Sequence, residues 1–142
     1  MNYKKARTHA FCFNETNDCS VKAVSISCDV PYIVAHTALK KNGRQKRRGA
    51  LIPMIRQSFT DLGFKAEPIR TTAATVKTLE DDPAVQKGYF VALVNRHILA
   101  IINGKIEDHS EGSRRRIMQV YRVTPATTRK EREEKRRALM KG

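Results

Sequence analysis

The chain has 142 residues, 28 of them Lys or Arg and 14 Asp or Glu, for a formal net charge of +14. That length fits one domain burying roughly two thirds of its unfolded surface, and the charge draws polyanions at long range without bearing on fold. The longest apolar runs, Tyr89 to Val94 and Ile98 to Ile102, are too short to span a bilayer. The opening residues lack the apolar stretch of a secretory signal, so a soluble, cytoplasmic protein is expected.

In chain order, the first periodic segment follows Cys19, where Val21, Val24 and Cys28 recur at helical spacing. "VPYIVAHTALKKNG" predicts a second helix, with Pro31 suited to its first turn and Gly43 to its stop. "ALIPMIRQSFTDLGF" predicts a third, with Leu51, Ile55, Phe59 and Leu62 on one face and Gly63 closing it. Thr71 to Val85 reads as a polar connection with room for a short helix. From Gly88 onward the pattern is β: "GYFVALV", "HILAII", "KIEDH" and "RIMQVYRV" are short, rich in β-branched residues and separated by turn chemistry. The Asn103-Gly104 pair is a strong hairpin signal. The expected fold is α+β, with N-terminal helices packed on a C-terminal antiparallel sheet. The domain is placed at residues 8–123. Residues 124–142 form a basic tail with almost no apolar face, read as a solvated helix or as disorder.

Cys12, Cys19 and Cys28 are odd in number and lack metal-type spacing, and the four histidines form no HxxxH pair. No disulfide framework, metal or cofactor is therefore expected. Cys12 and Cys28 are read as small buried hydrophobes. Cys19 differs, because "NETNDCSVKA" leads into it with polar residues. Asn17 or Asp18 suits the N-cap of a helix starting at Cys19 or Ser20, and the positive end of that helix favours thiolate over thiol.

A nucleophilic thiol also needs a base and a group to orient it. If Asn103 and Gly104 form a two-residue turn, Ile102 faces Lys105, Ile101 faces Ile106, Leu99 faces Asp108 and His97 faces Ser110. Alternation then puts His97, Leu99 and Asp108 on one face. Asp108 becomes the diagonal neighbour of His97 at about 7–8 Å between backbones, within reach of an imidazole. Glu107 points the other way. His36 and His109 read as packing or surface residues, and the adjacent Asp108, His109 and Ser110 cannot form a serine triad on alternating faces. Cys19, His97 and Asp108 are thus the candidate nucleophile, base and orienting carboxylate.

These residues carry a resemblance. "NDCSVKA" and, further on, "RHILAIINGKIEDHSEGSRRRI" resemble the papain-like cysteine peptidase superfamily, and more closely its small phage-encoded members, over roughly Phe11 to Val123. The resemblance implies a papain-like fold and hydrolysis of peptide or isopeptide bonds in a protein or peptide substrate. Cys19 would be the nucleophile, His97 the general base and acid, and Asp108 the orienting residue. The glutamine that such enzymes often place before the cysteine to stabilise the oxyanion is missing. Asn14, Asn17 or the Cys19 backbone N–H with a neighbouring amide are the substitutes.

A second functional class stays open: a catalytically silent basic module that binds nucleic acid or an acidic host protein. Lys40, Lys41, Arg44, Lys46, Arg47 and Arg48 place six cations in nine residues with no acid, and they are the candidate contacts for such a partner. Few aromatics accompany them, so base stacking is not supported.

Overall fold

The structure is a computed structural model and describes residues 1–141. Four helices come first: α1 (Tyr3–Cys12), α2 (Cys19–Cys28), α3 (Tyr32–Lys41) and α4 (Ile52–Asp61). Strand β1 (Phe64–Ile69) follows, then the one-turn helix α5 (Val76–Leu79) and a 3-10 turn at Pro83–Val85. The chain then forms β2 (Tyr89–Val94), β3 (His97–Ile102), β4 (Lys105–Glu107) and β5 (Ile117–Pro125), and ends in α6 (Arg129–Lys141). The fold is α+β, with six helices and one five-stranded antiparallel sheet in the order β1-β5-β2-β3-β4. No helix of the described residues is long and apolar enough to cross a membrane.

The sheet separates two cores, as the alternation of strand side chains requires. Val91 and Val123, with Ile98 and Ala100, face the helices and join Val21, Val24, Ala35, Leu39 and Phe59. Phe90, Ala92, Leu99, Ile101 and Ile106 face the other way and pack on Val76, Leu79 and Val85. Helix α2 is the central element: every residue from Ser20 to Cys28 except Lys22 is buried. Its sunken hydroxyls are bonded within the backbone, Ser25 Oγ to Val30 O at 2.7 Å and Ser27 Oγ to Ala23 O at 2.6 Å, as buried polar groups must be. Asp29 ends it in the left-handed conformation at φ 51°.

The hairpin register is the expected one: Ala100 pairs with Glu107, Ile101 with Ile106 and Ile102 with Lys105. Two elements were not expected. Helix α1 presents only Ala6 and Ala10 to the core, too little apolar surface to show as a periodic stripe, and it starts where Asn2 accepts the Lys5 N–H at 2.9 Å. Strand β1 carries Lys65, Glu67 and Pro68. As an edge strand paired only with β5, it tolerates both the charges and the proline.

The basic tail contains α6, capped by Thr128, whose Oγ1 accepts the Glu131 N–H at 3.2 Å. Arg132 lies 5.5 Å from the Phe64 ring centroid, and Leu139 enters the helical core. Cys28 is buried, but Cys12 is exposed and corrects the reading of it as a buried hydrophobe: it lies at the solvent-facing end of α1, beside the exposed Phe11.

Candidate active site

Cys19 is the first residue of α2. Asp18 occupies the N-cap position but gives the helix no side-chain hydrogen bond, which corrects the expectation that Asn17 or Asp18 caps it. Asp18 is 3 % exposed, and its carboxylate is committed elsewhere. Oδ2 accepts from Tyr32 Oη at 2.8 Å, and Oδ1 is 3.0 Å from Lys22 Nζ. The first helical bond is Lys22 N–H to Asp18 O. The N–H groups of Cys19, Ser20 and Val21 therefore have neither an intrahelical acceptor nor a side-chain cap.

The loop before Cys19 is fixed from outside. Glu15 accepts from His36 Nε2 at 2.6 Å, from Arg44 Nη1 and Nη2 at 2.9 and 3.1 Å, and from the Arg47 backbone N–H at 2.8 Å. Burial alone would raise its pKa; these bonds and the Arg44 charge bring it down to about 2. Arg44 is thereby removed from the set of partner-contact candidates, being buried on Glu15. Lys40, Lys41, Lys46, Arg47 and Arg48 remain exposed.

His97 opens β3 and Asp108 follows the last residue of β4. The two side chains meet at the open end of the hairpin, where His97 Nε2 lies 2.7 Å from Asp108 Oδ2. The same oxygen accepts the Ser110 N–H at 3.0 Å and the Ser110 hydroxyl. With Nε2 occupied, Nδ1 is the nitrogen left to face the sulfur, and Cys19 and His97 line the same two clefts. The structure thus brings Cys19, His97 and Asp108 together in one row at the wall of one cleft.

The electrostatics follow from that row. Burial would raise the Cys19 pKa, but hydrogen bonds from His97 and Ile98 and the His97 charge outweigh it, so the thiol sits below its ordinary value. Burial would lower the His97 pKa, yet Asp108 and the Cys19 sulfur together hold it up at about 9. Asp108, despite burial, is kept below the usual carboxylate range by His97 and Ser110. The arrangement favours a thiolate–imidazolium pair backed by a carboxylate. Cys28, by contrast, has its pKa pushed up by burial.

Two clefts meet at the sulfur. One, of about 510 Å³, is walled mainly by apolar side chains, including Leu51, Ile52, Leu93 and Met118. Leu51 and Met118 are 66 % and 69 % exposed. The pairing of β2 with β5 shifts at Leu93 and Val94, a bulge in the floor of this cleft. Ser20 Oγ also lines it and is buried without a hydrogen-bond partner. The other cleft, of about 320 Å³, is polar and lies between Asn17, Lys22, Arg96 and His109. Arg96 belongs to both and is held at φ 57° in the turn before His97, a conformation that costs a non-glycine residue on the order of 1–2 kcal/mol.

Of the oxyanion candidates, Asn17 lines the polar cleft with Cys19 but donates its Nδ2 to Arg47 O at 3.2 Å. Asn14 is exposed in the turn after α1, with no side-chain hydrogen bond and no part in either cleft. One group of possible metal ligands occurs among the described residues: His97, Asp108 and His109, with ligand atoms within 4.8 Å of one another. A cation bound there would have to break the His97–Asp108 hydrogen bond.

Ser110, Lys22, Arg96 and the Leu51–Met118 wall were not anticipated as parts of the site. Ser110 was discernible: Asp-x-Ser directly after a strand suits a turn in which the Asp carboxylate accepts the N–H two residues on. Comparisons of the chain with protein-family models, with curated proteins and with solved structures return no match.

Proposed function

We propose that this chain is a papain-like cysteine hydrolase of peptide or isopeptide bonds, with Cys19 as nucleophile, His97 as acid and base, and Asp108 orienting the imidazolium. The single observation that carries this reading is the His97–Asp108 hydrogen bond at 2.7 Å in a cleft that Cys19 lines beside His97. The sequence order Cys, His, Asp and the nucleophile at the start of the central helix agree with it, and a phage origin rests on the "NDCSVKA" resemblance alone.

The chemistry divides into two halves. The Cys19 thiolate attacks the substrate carbonyl carbon, and the oxyanion is received by the uncapped Cys19 N–H and a neighbouring α2 amide. His97 then protonates the departing amine through Nδ1, the C–N bond breaks, and a thioester on Sγ remains. Water enters, neutral His97 takes its proton, and hydroxide addition expels the thiolate and releases the acid. Asp108 accepts from Nε2 throughout, which keeps Nδ1 facing the sulfur. Deamidation of a glutamine, or transfer of the acyl group to an amine, would use the same three residues.

The test is to incubate a proteome-derived peptide library with the wild-type chain and with Cys19→Ala, then compare the products by mass spectrometry. New peptide termini that require Cys19 mean hydrolysis, Gln-to-Glu conversion means deamidation, and amine adducts mean transfer. Identical libraries would rule out hydrolysis of peptide substrates and favour the binding module.

A further inference from the structure

The nucleophile stands at a boundary of charge. On the polar side, both carboxylates are sunk and committed: Asp18 to Tyr32 and Lys22, Asp108 to His97 and Ser110. The cations remain on the outside. Arg96 is exposed at the junction of the two clefts, and His109 lies beside His97 with ring centroids 5.0 Å apart. Among the described residues, no carboxylate forms an ion pair with Lys46, Arg47, Arg48 or Arg96.

The placement of the cationic run is the second observation. Residues 45–48 are exposed, but their loop is not free. Glu15 receives the Arg47 N–H, Asn17 donates to Arg47 O, and the next residue, Gly49, lines both clefts. The buried Arg44–Glu15 pair thus holds a cationic loop beside the site, tied to it by Asn17 and Gly49, which line the polar cleft with Arg96. Cations converging on one concavity focus the field there, as scattered surface charges do not.

We propose that the polar side of the cleft is a carboxylate-binding subsite, lined by Lys22 and Arg96 with the cationic loop 45–48 beside it, so that the segment to be processed carries Asp or Glu beside the reacting bond. This deepens the hydrolase reading and rests on it. An acidic peptide fits better than a nucleic acid, because no Phe, Tyr or Trp side chain lines the polar cleft to stack a base.

The experiment alkylates the full chain with iodoacetate and with iodoacetamide, reading each cysteine by peptide mass spectrometry. Exposed Cys12 is the internal reference. The iodoacetate-to-iodoacetamide rate ratio at Cys19 is expected to exceed that at Cys12 by about tenfold at low salt, and to fall severalfold by about 0.5 M salt. The double variant Arg48→Gln/Arg96→Asn is expected to lower the ratio severalfold; asparagine accepts the left-handed turn. An oligo-glutamate peptide should slow Cys19 alkylation, and an oligothymidylate of equal charge should do so less. A ratio equal to that of Cys12, or one that ignores both salt and the double variant, would overturn the subsite while leaving the nucleophile standing. Stronger protection by the oligothymidylate would overturn the acidic-peptide assignment. Failure of Cys19 to react with either reagent would sink the hydrolase reading and the subsite with it.

Discussion

Asp108→Ala is the perturbation whose consequence is best defined. In the intact site His97 stands at about 9 against an ordinary 6.5, a preference for the imidazolium worth roughly 3 kcal/mol at 1.36 kcal/mol per pKa unit. Burial works against that preference, and the Asp108 hydrogen bond is the first of the groups that overcome it, ahead of the Cys19 sulfur. Without the carboxylate, burial is opposed by the sulfur alone, and His97 should titrate near or below its ordinary value. The thiolate loses its partner in the same step, so Cys19 alkylation at about pH 6 should slow by tenfold or more, each decade corresponding to about 1.4 kcal/mol. The assay is an NMR titration of ¹⁵N-histidine-labelled protein, with His97 assigned by His97→Gln, run beside the alkylation rate. Ser110→Ala, which keeps the carboxylate and removes one bond to it, should lower His97 less. The same variants give a stability readout, because Asp108→Ala strands the buried Ser110 N–H and hydroxyl at a cost of about 1–3 kcal/mol. If His97 in Asp108→Ala still titrates near 9, the carboxylate does not hold the imidazolium and the orienting role is wrong.

Other perturbations test the scaffold. Glu15 has its folded pKa depressed from 4.5 to about 2, so its contribution is complete above 4.5 and disappears as pH falls toward 2. Urea unfolding should show about 3 kcal/mol lost across that window. Glu15→Gln should abolish that slope and cost about 3–5 kcal/mol at neutral pH, since Arg44 is left buried without its counter-charge. Leu139→Ala should destabilise the chain by about 2 kcal/mol, with hydrogen exchange rising first in α6, where Leu139 is the one buried side chain.

The sheet region was legible because its signals are local. Asn103-Gly104 fixed the hairpin register, and the register brings His97 and Asp108 to the same end of the hairpin, where their side chains meet. The central helix was legible from Val21, Val24 and Cys28. Helix α1 and strand β1 were not, because two alanines and a charged edge strand leave almost no hydrophobic period to read. The cationic run was visible, but its division was not. Arg44 turns inward because Glu15, twenty-nine residues earlier, is brought against it, and a contact of that separation leaves no mark in a local pattern. Asp18 misled for a related reason. It has the chemistry of an N-cap, but Tyr32 and Lys22 compete for its oxygens and win.

The central claim is that the Cys19 sulfur rests as a thiolate on the His97 imidazolium, and its most direct test is the pH dependence of alkylation by iodoacetamide. The rate at Cys19 should rise much less steeply between about pH 6 and about pH 8 than the rate at exposed Cys12. Cys28, buried with its thiol pKa pushed up, should stay unlabelled until the chain unfolds, and His97→Ala should return Cys19 to the slope of Cys12. A Cys19 rate that follows Cys12 across the whole range in the wild-type chain would contradict the claim.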